Sequence, residues 1–320
     1  MSNNNSLNLD ELALECKIDS PDVGTETIEY IKALTSKYND EELVCIYNHF
    51  FDICIDYNVL IFLVKKINDM RSSTSLSVLI DTLIMKEKFK DRITDPDART
   101  QIRVMVAKTL ANIKDNKAVY PLLYCLNNKD ENYKIRLSCA EALGKIGDKY
   151  AVSPLVDLLE DEEESSVYIK ESAAFALGMI GDRKAVESLV SILETKKGII
   201  DKFTFLKERA IEALTKINFK SDRVFKALKN ALIDESTQVR INAIEALMNI
   251  DDDRVPDLIK GMLNDQEQEV VKNAVIALYN MEGEEILSEI INNIDSSEFA
   301  KIEANSLLDE LANEDEEDYE

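Results

Sequence analysis

The stretch Ala140–Val152 reads AEALGKIGDKYAV, and Ala174–Val186 reads AFALGMIGDRKAV. Nine of the thirteen letters coincide at an offset of thirty-four residues. Taking Leu143 as an anchor shows how far the pattern extends. The anchor slot holds Leu110, Leu143, Leu177, Leu214, Leu247, Leu278 and Leu308, and three places on stand Ile113, Ile146, Ile180, Ile217, Ile250, Met281 and Leu311. Seven places back stand Arg103, Arg136, Lys170, Lys207, Arg240, Val271 and Lys301, of which six are basic. Thirteen back, all seven are acidic: Asp97, Asp130, Glu164, Asp201, Asp234, Asp265 and Asp295. Four independent slots agreeing over seven units establish a repeat array.

Each unit holds two apolar-periodic segments. Ile135–Ile146 (IRLSCAEALGKI) places its apolar residues at helical spacing. Ala151–Leu159 (AVSPLVDLL) follows a turn and carries a proline in its first turn, where no amide donor is lost. Neither helix can bury its apolar face alone, so stacked neighbours must supply a continuous core. No segment of the array reads as a strand.

The pattern D-x5-[RK]-x6-L-x2-I, with EALGKIGD and FALGMIGD, resembles the HEAT repeat, in particular the HEAT-like repeats of phycobilisome lyases, over about Asp95–Ala312. The expected fold is therefore all-α: a right-handed α-solenoid, a HEAT-like superhelix of antiparallel helix pairs. The resemblance implies that the acids Asp97 to Asp295 and the bases Arg103 to Lys301 form a ladder along the stack. A carboxylate just before the second helix is also placed to accept free amides there and to favour the helix dipole.

The expected organisation is a mobile N-terminal segment over 1–24, a divergent helical cap over 25–94, seven repeats over 95–312 and an acidic disordered tail over 313–320. The interval Lys170–Lys207 is longer than the other repeats, and its extra length falls in ETKKGIIDKF. That insertion reads either as a contact loop or as tolerated surface length, since lengthening a loop costs little.

Charge narrows the partners. With 62 acidic against 38 basic residues the net charge is −24, which disfavours nucleic acid and anionic membrane surfaces and attracts basic proteins or peptides. The longest strongly apolar run, VLIFLV (Val59–Val64), is too short to span a bilayer. The start MSNNNSLNLDELALE has neither a basic region nor an apolar stretch, so the expected location is cytoplasmic. Five scattered cysteines without Cys-x-x-Cys spacing read as reduced thiols. Cys139 occupies an alanine slot and reads as a small buried residue.

Catalytic candidates are few. HEAT-like metal hydroxylases use repeated His-Glu pairs, whereas the sole histidine here is His49, followed by Phe50. No phosphate-binding or EF-hand loop occurs, so the expectation is no catalytic residue, no metal and no cofactor. Phycobilisome lyases attach or remove linear tetrapyrroles on partner proteins, and the resemblance leaves that as an alternative function without mapping any residue to it.

The favoured expectation is non-catalytic protein binding. At 100° per residue, positions two and six before the anchor and two after it lie on the helix face opposite the core. In a HEAT-like superhelix this face lines the concave groove. There the sequence places an acidic stripe of Glu141, Glu171, Glu208, Glu212 and Glu245, and the apolar residues Leu137, Phe175, Met179, Ile241 and Ile276. Helix support through Glu141–Lys145 and Glu212–Lys216 pairs, and contact with neighbouring repeats, are the competing explanations. The expected partner is a basic or amphipathic protein segment.

Overall fold

Residues 7–18, 20, 24–194 and 204–317 are described in a computed structural model, and every regular element among them is helical. The chain divides into two compact units, Met1–Ile180 and Gly181–Glu320. In the first, α1 (Leu9–Glu15) and α2 (Gly24–Leu34) precede the pair α3 (Asp40–Ile53) and α4 (Tyr57–Met70). Next come α5 (Leu76–Leu83), the short α6 (Glu87–Arg92) and α7 (Pro96–Ile113), then the pairs α8 (Val119–Asn127) with α9 (Tyr133–Ile146) and α10 (Val152–Glu160) with α11 (Val167–Ile180). The second unit contains α12 (Val186–Glu194), α13 (Thr204–Ile217), α14 (Asp222–Ala231), α15 (Thr237–Met248), α16 (Val255–Lys260), α17 (Gln268–Glu282), α18 (Glu285–Asn292) and α19 (Glu298–Glu317). The architecture is an all-α solenoid of helix pairs.

The repeated words of the sequence have a physical meaning. Helix α9 ends at Gly147, whose φ of 77° is left-handed and whose amide donates to the Leu143 carbonyl. Glycine enters that region without the Cβ penalty. Asp148 then accepts the Tyr150 amide and starts a short 3-10 turn that leads into α10. Lys114 and Asp115 make the same junction between α7 and α8, and Gly181 is left-handed before Asp182, which caps the turn into α12. The motif GDxxAV is thus a helix stop joined to a helix start.

The anchors Leu110, Leu143 and Leu177 are fully buried, as are Ala107, Ala140 and Ala174 three residues before them. Small residues on that line let helices approach. A Cβ added to Gly144 would lie 2.8 Å from the Ala176 Cα, so α9 and α11 are nearly in backbone contact there. The positions three after the anchor, such as Ile113, Ile146 and Ile180, are only half-buried rather than core. Each of these residues is the last of its helix.

Arg103, Arg136 and Arg240 are buried and each joins three elements. Arg103 donates from Nε to the Leu83 carbonyl at the end of α5 (2.7 Å), and its two Nη atoms grip Glu131 at 3.0 and 2.5 Å. Arg136 repeats this with the Leu126 carbonyl (2.8 Å) and Glu164 (2.5 Å), while the other Glu164 oxygen accepts the Ser166 amide (3.0 Å). Lys170 donates to the Leu159 and Asp161 carbonyls; Asp201, its expected partner, lies outside the described residues, as does most of the ETKKGIIDKF insertion. In the second unit, Lys207 meets Asp234 at 2.6 Å, and Arg240 holds Asp265 through two bonds of 2.9 and 2.8 Å. Asp234 and Asp265 also accept the amides two residues on. Each of these arginines therefore closes the end of a first helix and ties it to the next repeat's turn, while Lys170 shows the first link and Lys207 the second.

The ladder departs from expectation in three places. Glu131 stands in for Asp130, which is exposed, and Asp97 is exposed while Asp95 caps α7. At the C-terminal end Val271 supplies no charge, Asp295 is exposed, and Lys301 pairs with Glu298 within its own helix. The acids cap the turn, and the helix N-caps are the neighbouring Asn132 and Ser236. Burial alone would push the Glu164 carboxyl up. The Arg136 hydrogen bond, the Ser166 amide and the Arg136 charge outweigh it and hold the pKa below the ordinary value.

The ends also differ from expectation. Within 1–24, α1 is a helix with Leu12 and Ala13 buried. Within 25–94, α3 and α4 form a further helix pair. Helix α4 ends at the left-handed Arg71, and Ser72 caps a 3-10 turn into α5, repeating the later junctions. Helix α5 is itself the first helix of the pair completed by α7. At the other end α19 runs to Glu317, so the segment expected to be a disordered tail begins inside a helix.

Candidate protein-binding face

The residues expected to line a groove fall in both units. In the first, α9 carries Leu137 and Glu141, and α11 carries Glu171, Phe175 and Met179. Leu137, Glu141, Glu171 and Phe175 are half-buried, and Met179 is 45% exposed. The close approach at Gly144 and Ala176 sets this geometry, because a Cβ at Gly144 would be 3.4 Å from the Met179 Cβ. The Met179 side chain therefore starts at the seam between α9 and α11. Methionine suits such a position, since its flexible, polarisable chain adapts to varied partners.

In the second unit, Glu208 and Glu212 on α13 are half-buried, and Glu245 on α15 is exposed. Glu212 accepts a 2.8 Å ion pair from Arg209, one turn earlier on the same helix. Ile276 on α17 is 38% exposed. Ile241 departs from expectation: it is 6% exposed and part of the core. A wheel drawn on α15 alone omits α13 and α17, which both pack along it.

The thiols contribute no reactive group to either face. Cys16, Cys54, Cys125 and Cys139 are buried and Cys45 is exposed. Burial pushes the Cys54 thiol up to about 12. His49 Nε2 lies 3.2 Å from an Asp10 carboxylate oxygen, joining α3 to α1. Among the described residues no group of three or more His, Cys, Asp or Glu is placed to hold a metal ion. Among the same residues no helix is long and apolar enough to cross a membrane.

One feature lies outside the expected residues. Tyr120 and Tyr124 on α8 and Tyr150 before α10 are exposed around a cleft of about 570 Å³. The signal was available in AVYPLLYCL and DKYAV, where aromatic residues occupy slots that the helical period leaves outside the core.

Helix pairs joined by a left-handed stop and a capped 3-10 turn, and seamed by buried base–acid links, define a class of α-solenoid repeat protein. Residues 87–168 and 198–279 match the family model for HEAT repeats, and residues 169–195 match the PBS lyase HEAT-like repeat. The chain belongs to the HEAT-repeat family. Among solved structures it is similar to the karyopherin Kap121p, with a TM-score of 0.56 and 13% identity over 92% of this chain. The same karyopherin bound to the extreme C-terminus of the protein phosphatase Cdc14p gives a TM-score of 0.55 and 13% identity, over 92% of this chain. This chain spans only 36% and 37% of those two karyopherin chains. The complex of CpcE and CpcF of phycocyanin lyase from Nostoc sp. PCC7120 gives 21% identity and a TM-score of 0.45, covering 73% of this chain and 94% of that one. At these identities the likeness is one of fold. No curated protein matches the chain.

Proposed function

We propose that the protein is a non-catalytic scaffold that binds a basic or amphipathic segment of a protein partner on the second-helix face of residues 1–180. The observation that carries this reading is Met179, large, apolar and 45% exposed, one turn after half-buried Phe175 on α11, with half-buried Leu137, Glu141 and Glu171 on the preceding turns of α9 and α11. Apolar anchors supply affinity at the centre of an interface, and surrounding carboxylates steer a basic segment and set salt dependence. The net charge of −24 acts in the same direction. A pull-down comparing the parent with a Phe175→Ala, Met179→Ala double variant tests it. The partner retained by the parent should bind the variant about thirtyfold more weakly, the equivalent of ~2 kcal/mol. Equal retention by a variant that melts normally refutes the reading.

The match of residues 169–195 to the PBS lyase HEAT-like repeat favours a second reading, action on a bilin-carrying partner protein. Titration with a free linear tetrapyrrole separates the two. A shifted absorption band on mixing supports the second reading, and an unchanged spectrum supports the scaffold.

A further inference from the structure

The cleft between α8 and α10 is built from side chains that a water-facing surface rarely collects. Tyr120 and Tyr124, one helical turn apart, are 71% and 60% exposed, and Tyr150 across the cleft is 67% exposed. Leu123 and Pro154 add apolar surface, and Asn127 with Asn128 lines the end beside the α8 terminus. No lining side chain is charged, although the chain has 62 acidic and 38 basic residues. Beyond Pro154 the surface carries carboxylates. Asp157, one turn beyond Pro154, is exposed. Lys129, next to Asn128, meets both Asp161 (2.8 Å) and Glu163 (3.2 Å); Lys170 also lies at Asp161, whereas the Glu163 side chain is 88% exposed.

We propose that this cleft docks an extended, proline-rich segment of a partner protein that carries a basic residue at the end nearest Asp157 and Glu163. The site is separate from the second-helix face described above. A polyproline-type segment makes no internal hydrogen bonds and arrives already extended, so little conformational entropy is lost on docking. Its free carbonyls match the donors this cleft offers, the tyrosine hydroxyls and asparagine amides. Its rings pack on tyrosine faces, the usual mode of recognition in aromatic-lined grooves. The tyrosines of α8 stand about 6 Å apart along the helix, and one polyproline turn spans about 9 Å. Successive prolines can therefore fall on either side of a ring. The exposed carboxylates of Asp157 and Glu163 fix the polarity, because a lysine or arginine placed at that end meets them where they face solvent.

The probe is a fluorescein-labelled proline-rich peptide with an Arg-Lys pair at one terminus, followed by anisotropy with the full chain. Saturable binding is expected. It should weaken about tenfold or more in Tyr124→Ala and in Tyr150→Ala, and by a similar factor when the peptide's basic pair is replaced by glutamates. Both tyrosines are exposed, so the variants should melt with the parent. Phe175→Ala, Met179→Ala should bind the peptide normally, which keeps this site distinct from the second-helix face. No binding at millimolar peptide, or equal affinity for the Tyr124→Ala, Tyr150→Ala double variant, overturns the proposal. Indifference to the basic pair also overturns it. So does a concentration-dependent dimer lost in the double variant, which would assign the cleft to a second copy of this chain.

Discussion

Replacing Glu164 by glutamine tests the buried seam between repeats. The Arg136 and Glu164 side chains are 6% and 3% exposed. Glutamine keeps the shape and can still accept the Ser166 amide, but it leaves the Arg136 guanidinium buried without a counter-charge. Breaking a buried pair this way costs about 3–5 kcal/mol, and the retained acceptor places Glu164→Gln near the lower figure, about 3 kcal/mol. In a unit of this size that lowers the melting temperature by about 6–12 °C. Glu164→Ala also orphans the Ser166 amide and should cost a further 1–3 kcal/mol or so. An Arg136→Met, Glu164→Leu pair, which removes both charges, should melt close to the parent. The exposed pair Arg209–Glu212, at 46% and 40%, is the internal control: Glu212→Gln should cost less than about 1 kcal/mol. The pH dependence has a definite sign. The folded Glu164 pKa is held below its ordinary value of 4.5, so its stabilisation is present above that value and is lost as the pH falls through the lower folded pKa. The gap between parent and Glu164→Gln, read by circular dichroism melts, should be constant from neutral pH to about 5 and close below about 4. A gap of less than about 2 °C at neutral pH, or one that persists in acid, would refute the account.

Gly144→Ala should destabilise by about 1–3 kcal/mol, because its Cβ would meet the Ala176 Cα at 2.8 Å and backbone cannot yield as a side chain can. Lys114→Gly should do the opposite. Relieving a side chain at φ 58° is worth about 1–2 kcal/mol, less the extra freedom of the unfolded glycine, for a net gain up to about 1 kcal/mol. Thermal melts check both, and a less stable Lys114→Gly contradicts the assignment of Lys114 as a helix stop. Iodoacetamide should label Cys45 alone in the native protein and all five cysteines after denaturation. Native alkylation of Cys54 at a rate matching Cys45 would show that its burial has been misjudged.

The array was legible because its slots carry chemistry that one sequence displays. Leu143 is a buried anchor, Arg136 a buried base and Glu164 its acid, each at the expected place. The pair α3/α4 was expected as part of a helical cap but not counted as a repeat, because its slots hold other residues. Ile67 is the buried anchor there, with Leu60 where the base should be and Cys54 where the acid should be. The first-helix end that a base would close is closed by Arg92, which donates to the Phe51 and Cys54 carbonyls from forty residues away. No spacing rule points to Arg92. The binding face was partly legible. Met179 is exposed where the helical wheel puts it, while Ile241 is covered by helices that the wheel cannot include. AVYPLLYCL and DKYAV each show outward aromatic residues, but only the folded chain brings Tyr120, Tyr124 and Tyr150 around one cleft.

The seam also bears on how such a chain can grow. The four described base–acid links between repeats reach 25 to 28 residues forward, from one helix pair to the turn of the next. The junction therefore carries no information about its place in the chain. A duplicated block brings the base for the copy after it and the acid for the copy before it, so a tandem duplication in frame arrives with both seams matched. Lengthening needs no compensating change elsewhere, and the near-identical stretches Ala140–Val152 and Ala174–Val186 are the residue that such copying leaves.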